Sequence, residues 1–109
     1  MRRLSVVYRP AAVEDAEDIF RYIIRKGGSA RVAMAFVRRI RARCSRIGDA
    51  PWSGRPRDDL AVGLRTIAFE RVAVIAYLVS NDQIVVTNIF YGGRDIDALY
   101  PRGEDDENS

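Results

Sequence analysis

The chain has 109 residues, 48% of them hydrophobic and 30% charged, the size and composition of one compact domain that buries roughly two-thirds of its unfolded surface. Its one cysteine, Cys44, excludes an internal disulfide and a multi-cysteine metal site, and the lack of histidine removes imidazole acid–base chemistry, a Ser-His-Asp triad and a His-ligated zinc. No apolar run approaches the roughly 20 residues that span a bilayer, and MRRLSVVYRP is too short in apolar residues for a signal peptide, so a cytoplasmic protein with no membrane contact is expected.

The net charge of +3 hides an asymmetry. The tail Gly103–Ser109 holds Glu104, Asp105, Asp106 and Glu107, while residues 1–102 carry 18 basic against 11 acidic side chains, a balance of +7. Seventeen of the basic residues are arginine and only Lys26 is lysine, which favours planar, bidentate contact with carboxylate or phosphate. Such a body suits an acidic protein or a nucleic acid as partner, and charge alone does not choose between them.

In chain order, LSVVY (Leu4 to Tyr8) is an apolar, β-branched run ended by Pro10 and predicts a strand. From Pro10, AAVEDAEDIFRYIIRK has acids in its first turn, bases in its last, and Ala12, Ala16, Ile19, Phe20, Ile23 and Ile24 on one face, the pattern of an amphipathic helix ended by Gly27-Gly28. Ser29 is a fitting N-cap for a second helix with Ala33, Val37, Ile40, Cys44 and Ile47 inward, Arg31, Arg38, Arg39, Arg41, Arg43 and Arg46 outward, and Gly48 at its end. The segment DAPWSGRPRDDLAVG, broken by Pro51, Gly54, Pro56 and Gly63, reads as an irregular loop. Three β-like runs follow, Leu64 to Phe69, Val72 to Val79 and Ile84 to Tyr91, joined by turns at Glu70-Arg71 and Ser80-Asn81-Asp82-Gln83.

The expected fold class is α+β: an N-terminal strand, an antiparallel two-helix hairpin, then a three-stranded antiparallel meander, forming one twisted sheet with the helices on one face. Residues 1–102 read as a single domain and 103–109 as an acidic, disordered tail. Arg55, Arg57, Arg65, Arg71, Arg94, Trp52, Tyr91 and Tyr100 are the candidates for chemistry, since arginines can hold a phosphate and tyrosine can donate a proton or stack on a base. The plain alternative makes Trp52 and Tyr77 core aromatics and leaves the arginines solvated. Asp58-Asp59 and Asp95-Asp97 read as turn caps or ion-pair partners rather than a metal site, and no phosphate-cradling loop is present, so no cofactor and no small-molecule substrate is expected.

The layout resembles the RelE/ParE superfamily of bacterial type II toxins, closest to its ParE branch. The matching pieces are YRPAAVEDAEDIFRYI, GSARVAMAFVRRI, DAPWSGRPRDDLAVGLR, VAVIAYLV and IVVTNIFYGGRD. Most specific is the spacing from Pro51 through Gly54 and Gly63-Leu64-Arg65 to Tyr77 and Gly92-Gly93-Arg94-Asp95. The resemblance implies a toxin held inactive by an antitoxin with an acidic C-terminal segment, in a hetero-oligomer with it. In the ParE branch the target is DNA gyrase, trapped in its cleaved complex with DNA, without catalysis by the toxin. The arginine-rich loop and sheet-edge positions Arg55, Arg57, Arg65 and Arg94, with Tyr91 and Tyr100 beside them, are the expected target-binding residues. An acidic amphipathic antitoxin segment could add a strand at the sheet edge or lay a helix along the hairpin, where it would meet Ile19, Ile23, Val37 and Ile40.

The alternative branch cuts messenger RNA in the ribosome, and its catalytic set would fall on Arg65, Arg94 and Tyr100. Two of its basic positions correspond here to Val74 and Ile67, and losing a transition-state cation costs several kcal/mol, so the non-nucleolytic reading is preferred. Tyr91 stands where the ParE pattern commonly has histidine, which keeps a third reading open, a decayed, non-toxic antitoxin-binding homologue.

Overall fold

In a computed structural model, which describes residues 3–92, SVVY forms β1 (Ser5–Tyr8) and the chain passes directly into α1 (Pro10–Arg25). Pro10 suits that junction, because its fixed φ matches the first helical turn and its missing N–H would have had no helical partner. No acid stands in the first turn of α1, contrary to expectation; starting the helix at Pro10 puts Glu14 and Asp15 one turn further on. Arg25 does occupy the last turn. Gly27 then takes φ +98, a left-handed conformation natural only to glycine, and the chain reverses.

Ser29 Oγ accepts from the Val32 N–H (3.1 Å) and opens α2 (Ala30–Ile47), which ends at Gly48. Ala33, Phe36, Ile40, Cys44 and Ile47 are its buried positions, and Val37 is half-buried. Phe36 was not among the expected inward residues; it lies on the flank of the 4-3-4-3 series and reaches the core by its size.

Residues 49–63 are not wholly irregular. Arg55–Pro56 form a two-residue strand, β2, against β3 (Arg65–Phe69), where an edge position tolerates proline. β4 (Ala73–Ser80) and β5 (Gln83–Tyr91) complete a five-stranded sheet in the order β1-β5-β4-β3-β2. The meander is antiparallel, and β1 joins it by pairing parallel to β5, Ser5 opposite Gln83 and Tyr8 opposite Val86. Glu70 and Arg71 both have positive φ (49° and 64°), the backbone of a tight hairpin turn matched to strand twist.

The helices cover one face, over a core that includes Ile40, Cys44, Ile47, Ile75, Tyr77, Ile84 and Val86. The opposite face carries a smaller cluster, Leu60, Leu64, Ala76 and Phe90, capped by the segment before β3. The pairing of β4 with β5 shifts between Ala76 and Tyr77. Just beyond, where β1 has stopped, an Asp15 oxygen of α1 accepts from the Ile89 N–H (2.8 Å) and from Asn88 Nδ2 (3.3 Å). Asp15, read from sequence only as one of several helix acids, thus fastens α1 to β5.

Candidate functional site

The turn after α2 is organised by two residues of the sheet. The fully buried Tyr77 donates its hydroxyl to the Pro51 carbonyl (2.9 Å) and accepts from the Gly54 N–H (2.9 Å). Arg65 Nη1 donates to the carbonyls of Trp52 (3.0 Å) and Gly54 (2.7 Å), and its guanidinium stacks 5.0 Å from the Trp52 ring centre. Tyr77 is the core aromatic expected; Trp52 is not, being 66% exposed with its indole laid on Arg65. Tyr77→Phe leaves the Gly54 amide without its acceptor, so a loss of about 1–3 kcal/mol is expected in urea unfolding, and a change under 0.5 kcal/mol would show that water replaces the hydroxyl.

The neighbouring charges are largely committed. Arg57 makes a two-pronged pair with Asp59 (3.0 and 2.9 Å), and Asp58 caps the Gly63 N–H (2.8 Å), so both acids serve the turn, as expected. Arg55 is exposed on β2, and Arg71 is exposed in the β3–β4 turn.

Tyr91 lies elsewhere. Its ring packs edge-on to Tyr22 (5.5 Å) and Phe36 (5.2 Å), between the helices and the end of β5. By strand spacing and rise, Arg65 and Tyr91 stand about 16 Å apart, two strands over and four residues along. The structure therefore brings Arg55, Arg57 and Arg65 to one sheet edge with Trp52, and does not bring Tyr91 to them. Arg94 and Tyr100 lie outside the described residues. Ile67 is buried in the helix-side core and Val74 packs on the opposite cluster, so neither position offers a cation.

Between α1 and α2 runs an apolar groove of about 520 Å³, lined by Tyr8, Ala12, Ala16, Phe20, Val37 and Ile40 among others, with Glu17, Arg21 and Arg41 at its margins. It opens because Ala12 and Ala16 are too small to fill the space opposite Val37. That signal, alanines inside an apolar stripe, was present in the sequence and not used. A second, more polar hollow of about 330 Å³ is lined by Asp15, Ile19, Tyr22, Arg25 and Tyr91. Of the four hairpin residues singled out from sequence, Val37 and Ile40 line the groove and Ile19 the hollow; Ile23 packs against the core and lines neither.

Cys44 is buried in the seam between α2 and β1 beside Tyr8, whose ring also carries the Arg41 guanidinium at 5.6 Å. Burial pushes the Cys44 thiol up to about 11, only partly offset by the Tyr8 hydroxyl and by Arg43 and Arg41; burial and then Cys44 likewise push the Tyr8 hydroxyl above the phenol range. The folded chain thus holds the thiol proton that the unfolded chain releases near pH 9, and stability present below pH 9 is lost as pH rises towards 11, by about 2 kcal/mol. Urea midpoints across that window should fall less for Cys44→Ala; equal falls would show the thiol is not responsible.

Among the described residues no three His, Cys, Asp or Glu side chains are placed to hold a metal ion, and no helix is long and apolar enough to cross a membrane. The family model for the ParE toxin of the type II toxin-antitoxin system, parDE, matches residues 6–96. The chain belongs to the ParE toxin family. Among nine solved chains that match is one from the chromosomal ParDE toxin-antitoxin system of P. aeruginosa, with a TM-score of 0.71 at 20% identity over 83% of this chain and 97% of that one. At that identity the likeness speaks for the fold, which is the RelE/ParE fold expected from sequence. No curated protein matches significantly. For this ParE-family chain, the groove and the Trp52–Arg65 edge are the places where the candidate residues read from the sequence gather.

Proposed function

We propose that the chain is the toxin of a type II toxin-antitoxin pair, that it inhibits DNA gyrase by stabilising the enzyme's cleaved complex with DNA, and that it does so without catalysis of its own. Family membership supports the toxin reading. The observation that supports this choice over RNA cleavage is local to the sheet: Ile67 is buried, Val74 is packed in apolar surroundings and Arg65 spends an η-nitrogen on two backbone carbonyls, so these three positions do not form a phosphate-holding set among the described residues. The exposed edge with Arg55, Arg57, Arg65 and Trp52 is the proposed target surface; Tyr91, which stands apart from it, and Arg94 and Tyr100 are the other residues proposed to meet the target.

The α1–α2 groove is the proposed antitoxin site. Its apolar floor with Arg21 and Arg41 at the margins suits an acidic amphipathic helix, whose apolar side chains would meet Val37 and Ile40, with Ile19 in the adjoining hollow.

Purified protein added to gyrase and plasmid should abolish supercoiling and accumulate double-strand breaks, and prior addition of the antitoxin should prevent both. Unimpaired supercoiling at toxin excess would defeat the gyrase reading; growth arrest with ribosome-dependent messenger cuts that Tyr100→Phe abolishes would establish the ribonuclease in its place.

A further inference from the structure

α2 carries six arginines and not one acid along its 18 residues. They divide by where they point. Arg39 is paired with Glu70 (2.8 Å), and Arg41 leans over Tyr8 at the groove. Arg31, Arg38 and Arg46 are exposed on the outward face, with the half-buried Arg43 on its flank, and none of these four has an ion pair among the described residues. From Arg31 to Arg46 the face is about 22 Å long. At its C-terminal end Arg3 donates to the Ser45 carbonyl (3.2 Å) and is paired with Asp49 (3.4 Å), so it adds no net charge to the face.

We propose that this outward face of α2 binds the phosphate backbone of duplex DNA. Charge complementarity admits two partners, an acidic peptide and a polyphosphate, and the shape of the face decides between them. A peptide interface needs a desolvated apolar centre with anchoring side chains in pockets. Here the positions between the arginines are filled by Ala35 and Ala42, neither the groove nor the polar hollow is lined by Arg31, Arg38 or Arg46, and the exposed Val32 and Met34 are confined to the first two turns. The apolar groove lies on the flank of α2 that faces α1, and Glu17 lines it there, away from the outward arginines. A row of guanidinium groups with only alanine methyls between them meets what a phosphate backbone requires: bidentate donors, at a spacing a duplex can match because it offers one charge per about 1.7 Å of axis. Contacts of this kind carry no base information, so binding is independent of sequence.

This inference does not rest on the gyrase reading, since duplex binding is measured with no gyrase present. Fluorescence anisotropy with the full chain and two unrelated duplexes of about 20 base pairs, over about 50–200 mM salt, gives the slope of log affinity against log salt. For the triple variant Arg31→Gln/Arg38→Gln/Arg46→Gln the slope should flatten by about 0.9 per arginine, equally on both duplexes. Thermal melting should be unchanged, because all three side chains are exposed. Arg21→Gln/Arg25→Gln, which removes two arginines from α1, should leave the slope as it was. An unchanged slope in the triple variant overturns the proposal. So does an equal flattening per arginine in the α1 control, which would mean diffuse attraction to net charge. A triple variant that weakens binding to the antitoxin's acidic segment and leaves duplex binding intact would assign the face to the peptide.

Discussion

Gly48→Ala is expected to remove a large share of the fold's stability. Gly48 closes α2, and the Leu4 N–H donates to its carbonyl (3.0 Å). A methyl group added there would run into the backbone carbonyl oxygen of Leu4. Neither side can give way: Leu4 leads into β1, which is locked in register with β5, and the preceding Ile47 is fully buried. Overpacking against backbone rather than a yielding side chain puts the cost at about 3 kcal/mol or more, against a total stability of about 5–15 kcal/mol for a domain of this kind. Gly27→Ala is the informative comparison, since nothing lies within 4 Å of its added carbon and only the left-handed φ of +98° resists, worth about 1–2 kcal/mol. Urea midpoints should rank wild type above Gly27→Ala, and Gly27→Ala well above Gly48→Ala. Equal midpoints for the two variants would mean that the α2–β1 approach relaxes.

Val37→Asp is the second large effect, this time on binding. Val37 is half-buried and lines the α1–α2 groove, so a carboxylate there places a charge where the antitoxin's apolar side chains are proposed to seat, and adds like charge against an acidic segment. A loss of about 100-fold or more in antitoxin affinity is expected, near 3 kcal/mol, read by calorimetric titration. Gyrase inhibition by the free variant should persist, because Val37 lies away from the Trp52–Arg65 edge. Retained antitoxin affinity would move the antitoxin off the groove.

The elements were legible because each rests on local rules. The 3-to-4 spacing of Ala12, Ile19 and Ile40, the Ser29 cap and the β-branched runs named two helices and four strands, and the Glu70-Arg71 turn fell between strands as read. β2 was missed since Pro56 and Gly54 argue against a strand, and only the register with Thr66 and Arg65 makes one. β1 plainly needed a partner, but nothing in SVVY says that it runs parallel to β5. The site was less legible. Arginine spacing cannot tell a guanidinium facing solvent from one that, like Arg65, is held by carbonyls 11 and 13 residues away. Asp15 looks like its neighbours Glu14 and Asp18 until the free Ile89 N–H beyond the end of β1 is in view.

The pairing of β1 with β5 also sets when the molecule comes into being. Ser5 must wait for Gln83, and at about 5–20 residues per second the ribosome supplies it roughly 4 to 16 seconds later. Until then α1 and α2 can coil locally, but the sheet beneath Ile40, Cys44 and Ile47 does not exist, and closing so long a loop is the slow step that topology imposes. The groove shares this dependence, because Tyr8 from the first strand and Ile89 from the last both line it. A nascent chain therefore presents no completed groove, and synthesis of the final strand is the moment at which the surface proposed for neutralisation appears.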